Sequence, residues 1–288
     1  MAELVEEVIQ SKRNAGRSKR HERDLRTKLD RFAEAFGERA VATLESDEIE
    51  EWLHQLGLAA GSVNSYRRIL ILAFNHARKR GYCSANPVEN IDKVKETAAE
   101  PEVLTVAEVK AILKAADERI LPSIALAAFA GLRSSEIEGT VDHDGLDWSE
   151  IDFKESTILV RADVAKGRRK RHVTMLDNLA AWLKPLAKKK GPVWPSNGRK
   201  LHEAARRKAG FGKPGSETPK EKKGKVKLKP WPKNAFRHSY ASYHLAHFKN
   251  PAELVVNMGH QDNAEILFNH YRGIVKPKAA EAYWGIVP

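Results

Sequence analysis

Residues 122–130 read Pro-Ser-Ile-Ala-Leu-Ala-Ala-Phe-Ala and carry no charged side chain. Pro122 suits the first turn of a helix, and a helix that is apolar on every side has to be enclosed by other elements. The chain around it must therefore wrap a core, and it is patterned to do so. Thr105 with Glu108, ahead of Val109, Ile112 and Leu113, forms a capping box on an amphipathic helix. Downstream, Leu179, Trp182, Leu183 and Leu186 stripe a helix over 177–188, and another is expected over about 199–209. Short β patterns fall at 146–153, 157–161 and 172–175.

Before that core, from Arg17 onward, Leu25, Leu29, Phe32 and Phe36 recur at helical spacing, with Arg20, Arg23, Arg26 and Lys28 off the stripe. A solvated basic face and a phosphate-contacting face both fit this pattern. Ser46 and Asp47 are placed to cap a short helix through Leu56 that Gly57 ends. From Ser62 a longer helix carries Val63, Tyr66, Ile69, Leu70, Ala73, Phe74 and Ala77 on one side, with Gly81 as its stop. Asn86-Pro87 then breaks the chain. These signals predict a helical domain over 1–91, a polar linker over 92–102 and a second domain over 103–288. The fold class expected is mainly α with a small β-sheet. At about 100–200 residues per domain, 288 residues suit two.

Fifty Lys and Arg against 38 Asp and Glu give a net charge of +12, which points to a polyanionic partner, nucleic acid before an acidic membrane surface. No run approaches the length of a membrane span, and the acidic N-terminus is unlike a secretory leader. The chain is expected to be soluble and cytoplasmic. A single cysteine, Cys83, excludes an internal disulfide and a Cys-cluster metal site. No metal is assigned.

Chemistry-bearing residues crowd the stretch 234–272, with Arg237, His238, His260, His270, Tyr271 and Arg272. They could hold an anionic phosphate and attack it. A phenol with a pKa of about 10 is barely ionised at neutral pH, so a nucleophilic tyrosine needs a nearby cation or an acceptor for its proton. One arginine is too few to stabilise a phosphoryl transition state. A second candidate is Arg133, delivered by Gly131 at the end of the buried helix; the alternative is an arginine that braces the corner through Glu136. The run 164–171 places five cations in six residues around Gly167, as a hairpin turn that is either solvated or directed at a DNA groove. The Lys-, Pro- and Gly-rich stretch 212–233 reads as a basic loop that buries no core.

In combination these pieces resemble the tyrosine recombinase (phage integrase) family. Gly131-Leu132-Arg133-Ser134-Ser135-Glu136-Ile137 resembles its first box and Phe236-Arg237-His238-Ser239-Tyr240-Ala241-Ser242 its second. Met258-Gly259-His260 resembles its Leu-Gly-His, His270-Tyr271-Arg272 its nucleophile segment, and Lys166 its hairpin lysine. Asn64-Ser65-Tyr66-Arg67 and Asn86-Pro87 are similar to its core-binding domain.

The resemblance implies a helical core-binding domain followed by an α+β catalytic domain. In it Arg133 and Arg237 clamp the scissile phosphate, Lys166 protonates the leaving 5′ oxygen and His260 bonds a phosphate oxygen. Tyr271 attacks to leave a 3′-phosphotyrosyl link, without metal or cofactor. Asn234, Arg168, Arg169 and Arg171 are further candidates for DNA phosphate contacts. Two departures stand out: Asn234 occupies the place of the family's usual histidine, and the spacing from His260 to Tyr271 is longer than usual. Asn cannot transfer a proton at neutral pH, so Lys166 is expected to carry more of that work. His238 is set aside as a substitute, because on a helix it points about 100° away from Arg237.

The expected activity is site-specific DNA cutting and rejoining. The alternatives are a catalytically silent DNA-binding relative and a type IB topoisomerase-like activity. The expected partners are double-stranded DNA and further copies of this chain, a tetramer in the synaptic complex, with a monomer in solution left open. A nucleoid-associated location follows from the same reading, and no membrane partner is expected.

Overall fold

The computed structural model describes residues 1–97, 100–165, 167–213, 228–259 and 264–288. By its internal contacts the chain divides into two units, Met1–Ala99 and Glu100–Pro288.

The first unit is helical. Helix α1 (Ala2–Asn14), which the sequence pattern did not reveal, buries Leu4, Val5, Val8 and Ile9 against α2 (Lys19–Phe36) and the later helix Ala60–Arg80. Its stripe has only four apolar members in thirteen residues, which is why the pattern is easy to pass over. Ser18 caps α2 by accepting from the His21 N–H, and Leu25, Leu29 and Phe32 are buried as their spacing predicts. Part of the basic face is not free: Arg26 forks onto Glu6 of α1 at 2.6 and 2.8 Å, and Lys28 pairs with Asp24. Arg20 and Arg23 are exposed.

Helix α3 (Ser46–Gln55) is capped by a Glu45–Glu48 box rather than by Ser46, whose hydroxyl instead donates to the Pro87 carbonyl. Helix α4 (Ala60–Arg80) buries the seven residues of its predicted face and ends at Gly81, where φ is +78°. Phe32 sits edge-on to Trp52 and Phe74, with ring centroids 5.1 and 6.1 Å away. Beyond Asn86-Pro87, Asn64 of α4 exchanges two hydrogen bonds with the backbone of Val94. The start of the expected linker is thus tied to this unit.

In the second unit α5 (Val106–Ala115) carries the Thr105–Glu108 capping box. Helix α6 (Leu121–Phe129) is buried from Pro122 to Phe129 except for half-buried Ala127, and its one polar side chain, Ser123, donates to the Val193 carbonyl. The short α7 (Ser134–Glu138) follows. The expected strand over 146–153 is mostly a 3-10 turn at Trp148–Glu150, because the Asp147 carboxylate captures the backbone N–H groups of Ser149 and Gly191. What remains is β1 (Ile151–Asp152), antiparallel to β2 (Thr157–Val160), which pairs in turn with β3 (Arg171–Thr174) in the register Ile158 opposite Val173.

Helix α8 (Asp177–Leu183) stops earlier than its stripe suggests and gives way to a 3-10 turn at Lys184–Leu186, since Pro185 lacks an N–H to continue it. After α9 (Gly198–Lys208), strand β4 (Phe211–Gly212) pairs in parallel with β5 (Lys229–Pro230). The basic stretch is therefore not wholly without a core: Leu228 is buried, and Trp231 packs edge-on to Phe211 at 5.1 Å with Arg206 over its face at 4.9 Å. Residues 214–227 of that stretch lie outside the described residues.

Helices α10 (Ala235–Phe248), α11 (Pro251–Met258), α12 (Ala264–Tyr271) and α13 (Pro277–Trp284) complete the unit, and α10 packs against α6, α11, α12 and α13. Among the described residues no helix is long and apolar enough to cross a membrane.

Candidate active site

The site grows from the end of α6. Gly131 turns the chain at φ +62°, and a Cβ there would run into the Tyr240 ring of α10. Only glycine meets both demands. The turn delivers Arg133 to the start of α7. Its backbone N–H donates to Glu136 Oε2 at 2.9 Å, Nη1 to Glu136 Oε1 at 2.9 Å and Nη2 to the Gly259 carbonyl at 3.2 Å. The brace between Arg133 and Glu136 is thus present, but Arg133 does not have that carboxylate to itself.

Arg171 takes the larger share. From the first position of β3 its two terminal nitrogens reach both Glu136 oxygens at 3.1 and 2.8 Å, and Nε donates to the Asn257 carbonyl at 3.1 Å. Its side chain is 8% exposed and Glu136 1%. The expectation that Arg171 contacts DNA phosphate is therefore corrected: the guanidinium is turned inward and committed to Glu136. Period-two alternation with the buried Val173 carried the signal. Gly259, at φ +59°, leaves room for this arginine, since a Cβ there would lie 2.8 Å from the guanidinium carbon.

Arg237 enters from the first turn of α10. Nη1 donates to the Gly131 carbonyl at 2.7 Å and Nη2 to the Met258 carbonyl at 2.6 Å, so the fork is aimed by backbone from two other segments. Burial, and then the charge of Arg133, push its pKa down to about 9, which leaves it cationic at neutral pH. Burial alone would raise the Glu136 pKa. Hydrogen bonds and charge from Arg171, joined by Arg133, outweigh that and hold the carboxyl below its ordinary value. Three guanidiniums around one carboxylate leave the corner net positive, an arrangement suited to an anion.

Tyr271 closes α12 with its ring packed among Tyr240, Ala241, Leu245, Leu254, Met258 and Leu267. Its hydroxyl lies 2.9 Å from Nδ1 of His238. Burial raises the Tyr271 pKa, partly offset by the charge of Arg237. His238 is shifted down by burial, then by His270, Arg237 and Lys233. His238 points away from Arg237, as its helical angle requires, and meets the hydroxyl of Tyr271. The angle that separates it from Arg237 on α10 sends the arginine to the Gly131 and Met258 carbonyls and the imidazole to α12.

The other tyrosines of this region are committed to packing. Tyr283 stacks on Tyr243 at 4.0 Å and donates to the Ala128 carbonyl, Tyr243 donates to the Leu104 carbonyl, and Tyr240 accepts from Asn257. Asn234 is exposed at the start of α10 in a left-handed conformation, φ +53°. Arg168 and Arg169 are exposed on the turn between β2 and β3. Lys166 and His260 lie outside the described residues. Among the described residues no cluster of His, Cys, Asp and Glu is placed to hold a metal ion.

Known proteins resemble this arrangement at several levels. A curated relative, the defective protein IntQ of Escherichia coli (strain K12), is 28% identical over 115 residues, 40% of this chain. The match spans 27% of that relative's length. Among solved structures, a lambda integrase fragment, a dimer bound to a COC′ core site, superposes with a TM-score of 0.70 at 15% identity, covering 96% of this chain and 97% of that one. A lambda integrase tetramer bound to a Holliday junction gives 0.69 at 16% identity, covering 92% and 76%. At such identities these two share the fold. The model of the phage integrase family, by contrast, matches the sequence itself over residues 102–275, more than half of the chain and the whole run from Arg133 to Tyr271. The chain belongs to the phage integrase family.

Proposed function

We propose that this protein cuts and rejoins duplex DNA at specific sites through a 3′-phosphotyrosyl intermediate. The observation that carries the reading is a net positive corner of Arg133, Arg171 and Arg237 about Glu136, with the hydroxyl of Tyr271 on His238, the residue next to Arg237. In this reading the two forks of Arg133 and Arg237 neutralise the equatorial oxygens of a phosphodiester while the Tyr271 oxygen attacks phosphorus. The P–O5′ bond breaks as the O–P bond forms, and the energy of the phosphodiester is kept in the tyrosyl link. Lys166 as proton donor to the leaving 5′ oxygen and His260 as a phosphate hydrogen-bond donor rest on the family resemblance. The unit Met1–Ala99, with exposed Arg20 and Arg23, and the turn with Arg168 and Arg169 would hold the flanking duplex. A tetramer on DNA and a nucleoid-associated location belong to the same reading.

The test is covalent capture. Duplexes covering the DNA that flanks the gene are incubated with the full chain and quenched in SDS. The expected result is an SDS-resistant, protease-sensitive adduct, lost in Tyr271→Phe while DNA binding is kept. Arg237→Lys should fall by about 10²- to 10³-fold, since it keeps the charge but loses the fork. An adduct that persists in Tyr271→Phe refutes the assignment. A silent DNA-binding relative is favoured by one observation, the exposed Asn234 where the family carries histidine. Salt-sensitive binding without any adduct from the unmodified chain would establish that reading instead.

A further inference from the structure

The hydroxyl of Tyr271 meets an imidazole one position beyond Arg237. With Asn234 unable to take a proton, the imidazole at hydrogen-bond distance from the Tyr271 hydroxyl is that of His238, at 2.9 Å. We infer that His238 Nδ1 is the acceptor of the tyrosine proton during DNA cleavage and returns it during rejoining. This rests on Tyr271 being the nucleophile.

The step balances. The Tyr271 O–H bond breaks with its proton passing to Nδ1, the tyrosine oxygen bonds to phosphorus, and the P–O5′ bond breaks with its electron pair on the 5′ oxygen. That oxygen is protonated separately, by Lys166 or water. Rejoining runs the same path backwards. Burial opposes both the phenolate and the imidazolium, so both partners rest neutral, and with the ring proton on Nε2 the Tyr271 O–H donates to Nδ1. Among the described residues, the charged and titratable groups around the imidazole are Arg237 on α10, Lys233 in the turn before it, and His270 and Tyr271 on α12. None is a carboxylate that would hold His238 protonated. The hydrogen bond links residues 33 positions apart, on two helices joined through α11. It is therefore a product of packing and not of local geometry.

A positioned base typically contributes about 10²- to 10⁴-fold. The experiment measures single-turnover cleavage on a nicked duplex built on the mapped site, for the unmodified chain, Tyr271→Phe, His238→Ala and His238→Gln. Glutamine keeps an acceptor for the hydroxyl but cannot take its proton, and DNA binding by each variant serves as the folding control. The expected result is a loss of about 10²-fold or more in both His238 variants, with binding kept. The low-pH inflection of the unmodified chain should vanish in His238→Gln, whose residual rate keeps climbing with pH. On a substrate with sulfur at the bridging 5′ position, whose leaving group needs no proton, the His238 defect should persist. Full rate in His238→Gln, an unchanged pH profile, or rescue by the sulfur substrate overturns the inference while leaving Tyr271 in place. Adducts from Tyr271→Phe, or none from the unmodified chain, overturn it together with the reading it rests on.

Discussion

The two halves of the site are held in opposite ways. At the arginine corner every guanidinium is held by a buried carboxylate or by backbone: Arg171 by both oxygens of a 1% exposed Glu136, Arg237 by the Gly131 and Met258 carbonyls, Arg133 by Glu136 and the Gly259 carbonyl. Two glycines at positive φ close the corner where any side chain would collide with Tyr240 or Arg171. The tyrosine end differs. Tyr271 is seated by apolar packing on α12, and its hydroxyl meets the imidazole of His238. The charge that stabilises a transition state works best when it is rigid beforehand, because reorganising it at the moment of reaction costs free energy. In the proposed reaction the Tyr271 hydroxyl passes its proton to His238 as its oxygen moves to phosphorus, so a lighter hold than that of the guanidiniums suits it.

If that contrast is right, Glu136→Ala should have the largest effect, since it strands buried guanidiniums without their carboxylate. The expected loss is about 3–5 kcal/mol in urea unfolding. A loss under about 1 kcal/mol would break the comparison. Acid should attack the same point. With its folded pKa below the ordinary 4.5, Glu136 binds fewer protons folded than unfolded. Its contribution is therefore complete above that value and disappears as pH falls through the lower folded pKa. Glu136→Gln should flatten this part of the stability curve, and an unchanged slope would show that the carboxylate is not held by the arginines.

Gly131→Ala comes next, with an expected loss of about 2–4 kcal/mol from the left-handed backbone and the collision with Tyr240. A stability equal to the unmodified chain would mean that the turn can relax. The smallest effect belongs to Tyr271, the proposed nucleophile: Tyr271→Phe should change unfolding by no more than about 1 kcal/mol, although it is expected to end cleavage. A larger loss would show that this hydroxyl braces the fold and would erase the distinction between the two halves.

Much of this was legible beforehand, for reasons that can be traced to single residues. The face of α4 from Val63 to Ala77, the Thr105–Glu108 cap and the enclosure of α6 depend on neighbours within a turn or two, and local rules reach that far. Arg171 was misjudged because it was counted with the cations of its turn, not with the alternation of its strand. The meeting of His238 with Tyr271 was not legible, because a helical wheel describes one helix and cannot say what stands opposite each face. The inward seat of Leu228 and Trp231 was hidden by a composition that is basic on average, while Leu228 is buried and Trp231 packs on Phe211 and Phe236.

By itself, then, the order of residues decided which segments become helices, where caps and turns fall, and which side chains carry charge, because those outcomes are governed by interactions a few positions apart. Tertiary structure alone decided that Arg237 meets the Gly131 carbonyl 106 positions away, that Arg171 reaches Glu136 across 35, and that Tyr271 finds His238 across 33. These meetings follow from burying apolar faces of α6, α10, α11 and α12 against one another, and the geometry of that packing, with no local preference to specify it, brings forks, imidazole and phenol together.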